Sequence, residues 1–138
     1  MSVFTSLSDE HRTLLALIAD VQQAAEAKDR VALKVHLTAA WDALTGELDA
    51  HMSLEEEVAF PSIGRALGEA IPKPFEEEHR EIRGLRDLLL EWVAAGKVPL
   101  DLCLILCNLI VAHMQREDLT LFPAACESLD LEASLAYR

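Results

Sequence analysis

Hydrophobic residues along most of this chain recur at steps of three and four, the spacing of one face of an α-helix. Residues between these stretches are typical of turns: Lys28 and Asp29, a segment rich in proline and glycine over 61–74, then Gly96 and Pro99. Ser8 is the expected N-cap of the first helix. The pattern therefore predicts four helices, over about residues 9–27, 30–59, 75–94 and 100–121.

Short connections between consecutive helices favour antiparallel neighbours. We therefore expect an all-α fold, an antiparallel up-down-up-down four-helix bundle. A chain of 138 residues, 51% of them hydrophobic, is enough for one folded domain with a core. We expect a single domain over residues 1–138, with its core at about 8–125 and a short packed tail over 126–138 that includes Leu129, Leu131, Leu135 and Tyr137.

Two apolar rows end in polar residues. The inward row of the second predicted helix closes with His51 and Glu55, and that of the fourth closes with His113 and Glu117. Residues four apart share one face of a helix, so each pair should point into the core. A histidine and a glutamate at the end of a core face indicate ligand chemistry more than packing.

The same residues lie in an internal repeat. Segment 51–61 reads HMSLEEEVAFP and segment 113–123 reads HMQREDLTLFP, with matching His, Met, Glu, a second acid, Phe and Pro. A shorter repeat precedes each one, because Glu-His-Arg occurs at 10–12 and again at 78–80. Such a repeat is typical of two copies of one unit that face each other.

The four repeated histidines should lie at one height. In an antiparallel pair, two residues are level when they are equally far from the turn. The midpoint of His11 and His51 is position 31, that of His51 and His79 is position 65, and that of His79 and His113 is position 96. All three midpoints fall in or beside predicted connections, so the four histidines should meet at one end of the bundle.

Buried imidazoles and carboxylates without partners would each cost about 1–3 kcal/mol. Two divalent cations, bridged by two carboxylates and held by imidazoles, would remove that cost. Such a mixed set suits iron, zinc or manganese, and the excess of imidazole favours two iron ions over zinc or manganese. The predicted metal ligands are His11, His51, Glu55, His79, His113 and Glu117.

These motifs resemble the hemerythrin-like (HHE cation-binding) domain over about residues 8–125. The resemblance rests on an early His, a His-x-x-x-Glu motif, a third His, and a second His-x-x-x-Glu motif, with Phe-Pro after each Glu. It implies a four-helix bundle with a non-haem di-iron site that two carboxylates bridge. Oxygen-carrying members have a fifth histidine at the position of Phe75, four residues before His79. The set here is similar to that of members that repair iron–sulfur centres or respond to nitric oxide and peroxide.

On this resemblance, His11 and His51 would hold one metal, His79 and His113 the other, and Glu55 and Glu117 would bridge them. The expected function is to bind or react with oxygen, nitric oxide or peroxide at a His4Glu2 site. A protein that senses or stores metal or diatomic gas without turnover needs the same ligands, and a structural metal site is a third alternative. The sequence leaves open whether the protein is an enzyme.

Composition excludes some partners and indicates a compartment. A net charge of −12 argues against binding to nucleic acid or to anionic membranes. The longest apolar run, at 102–112, is too short to span a bilayer. Three cysteines, an odd number, and no secretory signal pattern at the start favour reduced thiols in a cytoplasm.

Other residues receive smaller roles. We expect Cys103 and Cys107 in the core, and His36 on the flank of its helix or at the surface. Arg86 should either reach solvent or pair with a buried acid such as Glu47. Glu56 and Asp118 follow the bridging glutamates, and we expect solvated acids there, with hydrogen bonds to the histidines as the alternative. Finally, the fourth predicted helix is apolar on several sides, so we expect the tail or a homodimer partner to cover Leu104, Ile105 and Val111.

Overall fold

The computed structural model describes residues 2–136, and side chains for residues 2–129, and every regular element in this part of the chain is helical. The all-α prediction is therefore confirmed. The α-helices are α1 (Val3–Glu26), α2 (Arg30–Ala39), α3 (Leu48–Leu54), α4 (Phe60–Leu67), α5 (Lys73–Ala94), α6 (Leu100–Arg116) and α7 (Phe122–Ala136). Wider π-helical segments lie at Ala43–Glu47, Glu55–Ala59 and Glu117–Leu121.

The first helix starts earlier than the sequence pattern predicts. Ser2 is its N-cap, and the Ser2 hydroxyl accepts a hydrogen bond from the backbone N–H of Thr5. The prediction of Ser8 as the cap was wrong, because Ser8 lies inside α1 and its hydroxyl instead donates to Asp118 at 2.7 Å. The extra turns place apolar residues of α1 on the N-terminal side of His11, where Phe4 and Leu7 are buried.

Both Phe-Pro pairs lie inside helical runs instead of ending them. The backbone N–H of Phe60 donates to the carbonyl of Glu55, and that of Phe122 donates to the carbonyl of Glu117. These bonds span five residues, which widens the turn before each proline. A proline ring in a regular α-helix clashes with the carbonyl four residues earlier, and a wider turn relieves this clash. The helices therefore continue into α4 and α7.

The predicted tail is part of α7, which reaches Ala136. This helix packs against α4, and Leu129 contacts the apolar cluster between them. The expected contacts of Leu131, Leu135 and Tyr137 lie outside the described residues. A packed end of the chain is thus present up to Leu129, in a helix that the weak hydrophobic pattern did not predict.

Two apolar clusters make up the core, and the predicted ligands separate them along the helices. The larger cluster joins residues of α1, α2, α3, α5 and α6, and the smaller joins the start of α1 to residues around α4 and α7. On α1, for example, His11 lies between Leu7 of the smaller cluster and Leu14 of the larger one. The polar residues thus form a layer with apolar packing on both sides.

Helix α6 lies against α1 and α5, and α1 also packs on α2. Cys103 and Cys107 of α6 are buried in the larger cluster, as predicted, and neither forms a disulfide. Burial raises the pKa of the Cys103 thiol to about 11 and that of Cys107 to about 12. Both thiols are therefore neutral packing residues near neutral pH.

Arg86 of α5 is buried, and its partner is not Glu47. Its guanidinium pairs with Asp49 and Asp87, each at 2.9 Å. It also donates to the carbonyl of Leu44 at 3.0 Å, in the first π-helical segment. A π turn displaces carbonyls from the usual helical bonds, and Arg86 supplies a donor for one of them.

Apolar residues on α6 outside the ligand row differ in their cover. Leu104 and Val111 pack against the larger cluster, but Ile105 remains 56% exposed. His36 is half-buried on α2. Across the described part of the chain, no helix combines the length and the apolar character that a membrane crossing requires.

Candidate metal centre

Six residues form one buried polar layer across the core. Their exposed fractions are 3% or less, and they are His11, His51, Glu55, His79, His113 and Glu117. The histidines meet in two pairs, which we call the first pair (His11 and His51) and the second pair (His79 and His113). The Nε2 atoms are 2.9 Å apart in the first pair and 3.1 Å apart in the second. The histidines therefore lie at one level, as the spacing predicts.

Both glutamates are shared between the two pairs. Glu55 Oε1 lies 2.9 Å from His79 Nε2, and Glu55 Oε2 lies 3.5 Å from His51 Nε2. Glu117 Oε1 lies 3.2 Å from Nε2 of both His11 and His113. Each pair together with both glutamates forms a group whose ligand atoms lie within 4.8 Å of one another. Two groups that share two carboxylates could each hold a metal ion.

The outward side of the rings is also occupied. His11 Nδ1 lies 2.8 Å from Asp118 Oδ1, and His79 Nδ1 lies 2.7 Å from Glu56 Oε2. An ionised carboxylate only accepts, so each Nδ1 must donate its proton outward. The expectation that Glu56 and Asp118 are merely solvated acids was wrong, and the alternative of hydrogen bonds to the histidines is what the structure shows.

Two further acids hold the remaining histidines, and sequence reasoning missed both of them. His51 Nδ1 donates to Glu10 at 2.9 Å, and His113 Nδ1 donates to Glu78 at 3.0 Å. Glu10 and Glu78 are the first residues of the repeated Glu-His-Arg motif, so the signal was present in the repeat. We call Glu10, Glu56, Glu78 and Asp118 the outer acids.

The repeat has a structural meaning that crosses between the two halves of the chain. Phe122, after the second motif, stacks on His11 with ring centroids 5.9 Å apart, and Phe60, after the first motif, lies 5.2 Å from His79. Each half therefore supplies an acid and a phenyl ring to the early histidine of the other half. Pseudo-symmetric contacts of this kind explain why the Phe follows at the same spacing in both motifs.

Buried carboxylate oxygens of the layer lack hydrogen-bond donors, and a cation could take the place of these donors. Glu55 Oε2 and both oxygens of Glu117 are buried without a hydrogen-bond donor. The 3.2 Å approaches of His11 and His113 to Glu117 lack hydrogen-bond geometry. If each imidazole carries only its outward Nδ1 proton, the inward Nε2 atoms and carboxylate oxygens present lone pairs to one another. Imidazole nitrogens and carboxylates are ordinary ligands of transition metals, so the residues fit such an ion.

In the metal-free protein, extra protons take the place of a cation. Burial lowers the pKa of His11, but Glu117 and Glu55 outweigh it and raise this pKa to about 10. The same balance raises the pKa of His113 to about 10 and also raises that of His51. Without metal, His11 and His113 are therefore protonated at neutral pH and counter the buried carboxylates.

The pKa values of the two glutamates are shifted in opposite directions. Burial and the neighbouring Glu55 raise the pKa of Glu117. Burial opposes ionisation of Glu55 as well, but its contacts with Glu117 and with the imidazoles hold the pKa of Glu55 well below its usual range. Two carboxylates this close ionise together only when positive charge lies between them.

Phe75 lies beside the second pair. Its ring is 5.7 Å from the ring of His113 in an edge-on arrangement, and the guanidinium carbon of Arg116 lies 5.8 Å from its centroid. A phenyl ring does not ligate metal, so this wall of the layer is apolar. The structure thus places Phe75 one turn before His79 and next to the second pair, as the sequence predicts.

An all-helical fold around four imidazoles and two shared carboxylates defines a helical cation-binding protein. The family model of the hemerythrin HHE cation binding domain matches residues 2–125, and the chain belongs to this family. The other two comparisons, with curated proteins and with solved structures, returned no significant match.

Proposed function

We propose that this protein is a non-haem di-iron protein that binds or reacts with oxygen, nitric oxide or peroxide. The observation that carries the proposal is the sharing of Glu55 and Glu117 between two histidine pairs, which matches two metals bridged by two carboxylates. Each metal would have two imidazoles and two carboxylate oxygens from the chain. Four protein ligands leave room on an iron ion for small exogenous ligands.

Iron is favoured over zinc and manganese by the donor set. Carboxylate and imidazole together suit iron, while manganese prefers more oxygen ligands and structural zinc sites are usually rich in cysteine. None of the three cysteines belongs to either ligand group. Bound iron would supply electron transfer and open positions for small oxidants, which is the chemistry the proposal requires.

The surrounding residues would prepare the layer for that chemistry. The outer acids fix which ring nitrogen faces inward and make the imidazoles stronger donors. Phe60, Phe75 and Phe122 cover the rings and exclude water from the inner atoms. A cavity of about 270 Å³ reaches the first pair from the surface, lined by Glu10, Thr13, Leu14, Glu47, Ala50 and His51. This cavity would admit a small molecule as far as the outer side of His51, beside Glu10.

We also propose a helix topology, an oligomeric state and a cell compartment for this protein. Four level histidines on α1, α3, α5 and α6 support the antiparallel up-down-up-down four-helix bundle. The exposed Ile105 supports a homodimer through α6, which light scattering at micromolar concentration tests directly. Cys103 and Cys107 are buried close together without a disulfide, which supports a reducing cytoplasm.

Single-turnover spectroscopy tests the function. Iron-loaded, reduced protein is mixed with a slight excess of peroxide, and the absorption spectrum is followed over time. Rapid oxidation that repeats after each new reduction supports a redox role. A protein that binds nitric oxide tightly but is not oxidised by peroxide is a sensor or store instead. A protein that contains only zinc after growth with ample iron has a structural site.

A further inference from the structure

The outer acids of the second pair are themselves held by arginines. Glu56, which accepts from His79, also accepts two hydrogen bonds from Arg83, at 2.8 Å and 3.2 Å. Glu78, which accepts from His113, forms an ion pair with Arg116. Both acids beside the second pair therefore share their negative charge with a cation. Consistent with this pairing, burial opposes ionisation of Glu56 and Glu78, but the arginines lower the pKa of each.

The outer acids of the first pair have no such cation. Asp118 accepts from the neutral hydroxyl of Ser8, and no lysine or arginine pairs with it or with Glu10 among the side chains that the structure describes. Arg12 lines the same surface cavity as Asp118, but it forms its ion pair with Asp9. The pseudo-symmetric halves thus differ in whether an arginine pairs with the outer acids.

This difference changes how strongly each pair donates to a metal. A carboxylate that accepts from Nδ1 draws that proton away from the ring and makes Nε2 a better donor. When an arginine competes for the same carboxylate, the pull on the Nδ1 proton is weaker. The arginine charge also repels a nearby cation. Both effects weaken the binding of a metal ion at the second pair relative to binding at the first pair.

We propose that Arg83 and Arg116 are positioning residues that make the two metal positions unequal. The position at the first pair fills first and holds its metal more tightly, and the position at the second pair is the weaker and more readily exchanged one. This inference rests on the proposed two-metal site. It assigns the inequality to the ion pairs of the outer acids, since the inner ligands of the two positions are identical in type.

Zinc titration tests the inference without any redox activity. Metal-free protein is titrated with Zn²⁺ in competition with a chromogenic chelator, which resolves two binding steps. We expect the dissociation constants of the two steps to differ by about tenfold or more beyond the statistical factor, the range typical of changes around a metal ligand. Crystals grown with one equivalent of zinc should show anomalous scattering at the first pair.

The variants separate an electrostatic role from a structural one. In the double variant Arg83→Gln with Arg116→Gln, the second step should tighten about tenfold and approach the first. Damage to the fold would weaken zinc binding, so a gain of affinity identifies the ion pairs. Arg116→Gln alone changes a half-exposed side chain, and it should produce part of this gain in a folded protein. Arg80→Gln is the matched control, because Arg80 is exposed on α5, the helix that carries Arg83, and it pairs with no outer acid.

Several results would overturn the inference. These are equal affinities in the wild type, a first zinc ion at the second pair, or arginine variants whose second step is unchanged or weaker. An equal gain in the Arg80→Gln control would assign the effect to net charge and not to the ion pairs. A chain that binds one zinc ion or none overturns the two-metal site itself, which is a separate outcome from equal binding of two ions.

Discussion

Glu55 and His79 lie on different helical segments, yet Oε1 of Glu55 approaches Nε2 of His79 to 2.9 Å. The other oxygen of the same carboxylate faces His51 at 3.5 Å. Glu55 therefore belongs to both candidate ligand groups at once, whereas each histidine belongs to one. This distinction gives the glutamate and histidine variants different consequences for metal binding.

Loss of one histidine should affect one position, and loss of one shared glutamate should affect both. We expect His79→Ala to weaken one of the two zinc-binding steps by about tenfold or more and to leave the other nearly unchanged. Glu55→Ala should weaken both steps. Zinc titration against a chelator measures both variants. If Glu55→Ala affected a single step, the carboxylate would not bridge two metals.

Phe75 lies beside the second pair and cannot ligate, so its replacement by histidine should add a ligand to the metal proposed there. In Phe75→His we expect slower autoxidation of the reduced, iron-loaded protein, because an added imidazole would fill an open position. Phe75→Leu is the control, since it is apolar and cannot ligate. Stopped-flow absorption after exposure to air measures the rate. In the wild type, azide and nitric oxide should change the spectrum; unchanged spectra, or a long-lived reversible oxygen adduct, would contradict an open position.

Protons and metals compete for the same inner atoms. In the folded, metal-free protein the pKa of His11 and His113 is raised from 6.5 to about 10, so protonation stabilises the fold. That contribution is fully present below about pH 6.5 and is lost as the pH rises towards about 10. Chelator-treated protein should therefore lose unfolding free energy over this range in denaturant titrations at a series of pH values.

Metal affinity should have the opposite pH dependence. Because a metal must displace the protons on Nε2, zinc should bind more tightly as the pH rises and should release protons on binding. Calorimetry in buffers of different ionisation enthalpy counts those protons. Binding that is independent of pH from about 6 to 9, with no proton release, would show that the imidazoles are already neutral in the metal-free protein.

Arg86 stabilises a helix that has lost regular bonding at the first π-helical segment. Replacing it with Met, which keeps most of the volume, leaves the Leu44 carbonyl and Asp49 without this donor. We expect Arg86→Met to lower the free energy of unfolding by about 1–3 kcal/mol, the typical cost of an unsatisfied buried polar group. Arg80→Gln should change it little. An Arg86→Met protein as stable as the wild type would show that water satisfies these groups.

The ligand layer could be predicted because it breaks an apolar row. His51 with Glu55, and His113 with Glu117, stand where a helix face should be hydrophobic, and the repeat gives both places at once. The distance of each histidine from the predicted turns gives its height along the helices. On this basis His11 and His79 could be added to the predicted ligands. These inferences need only helical periodicity and the positions of the turns, and the structure brings all of the predicted residues together.

Helical periodicity does not predict the structural roles of the prolines or of the outer acids. Pro61 falls in a predicted connection and Pro123 follows the predicted end of the fourth helix, because a regular α-helix excludes proline. A π turn next to each shared glutamate instead accommodates both prolines within helices. Glu10 and Glu78 look like ordinary surface acids in a chain of net charge −12, and only their positions across the interface make them partners of His51 and His113. Contacts of this kind depend on three-dimensional packing.

The most direct test of the account is the metal content of protein made in iron-replete cells, measured together with its absorption spectrum. The account predicts about two iron ions per chain and a ligand-to-iron charge-transfer band in the near ultraviolet. Both should be lost when Glu55 and Glu117 are replaced by Ala together. Wild-type protein without iron, or a double variant that keeps its full metal content, would contradict a di-iron site bridged by these two glutamates.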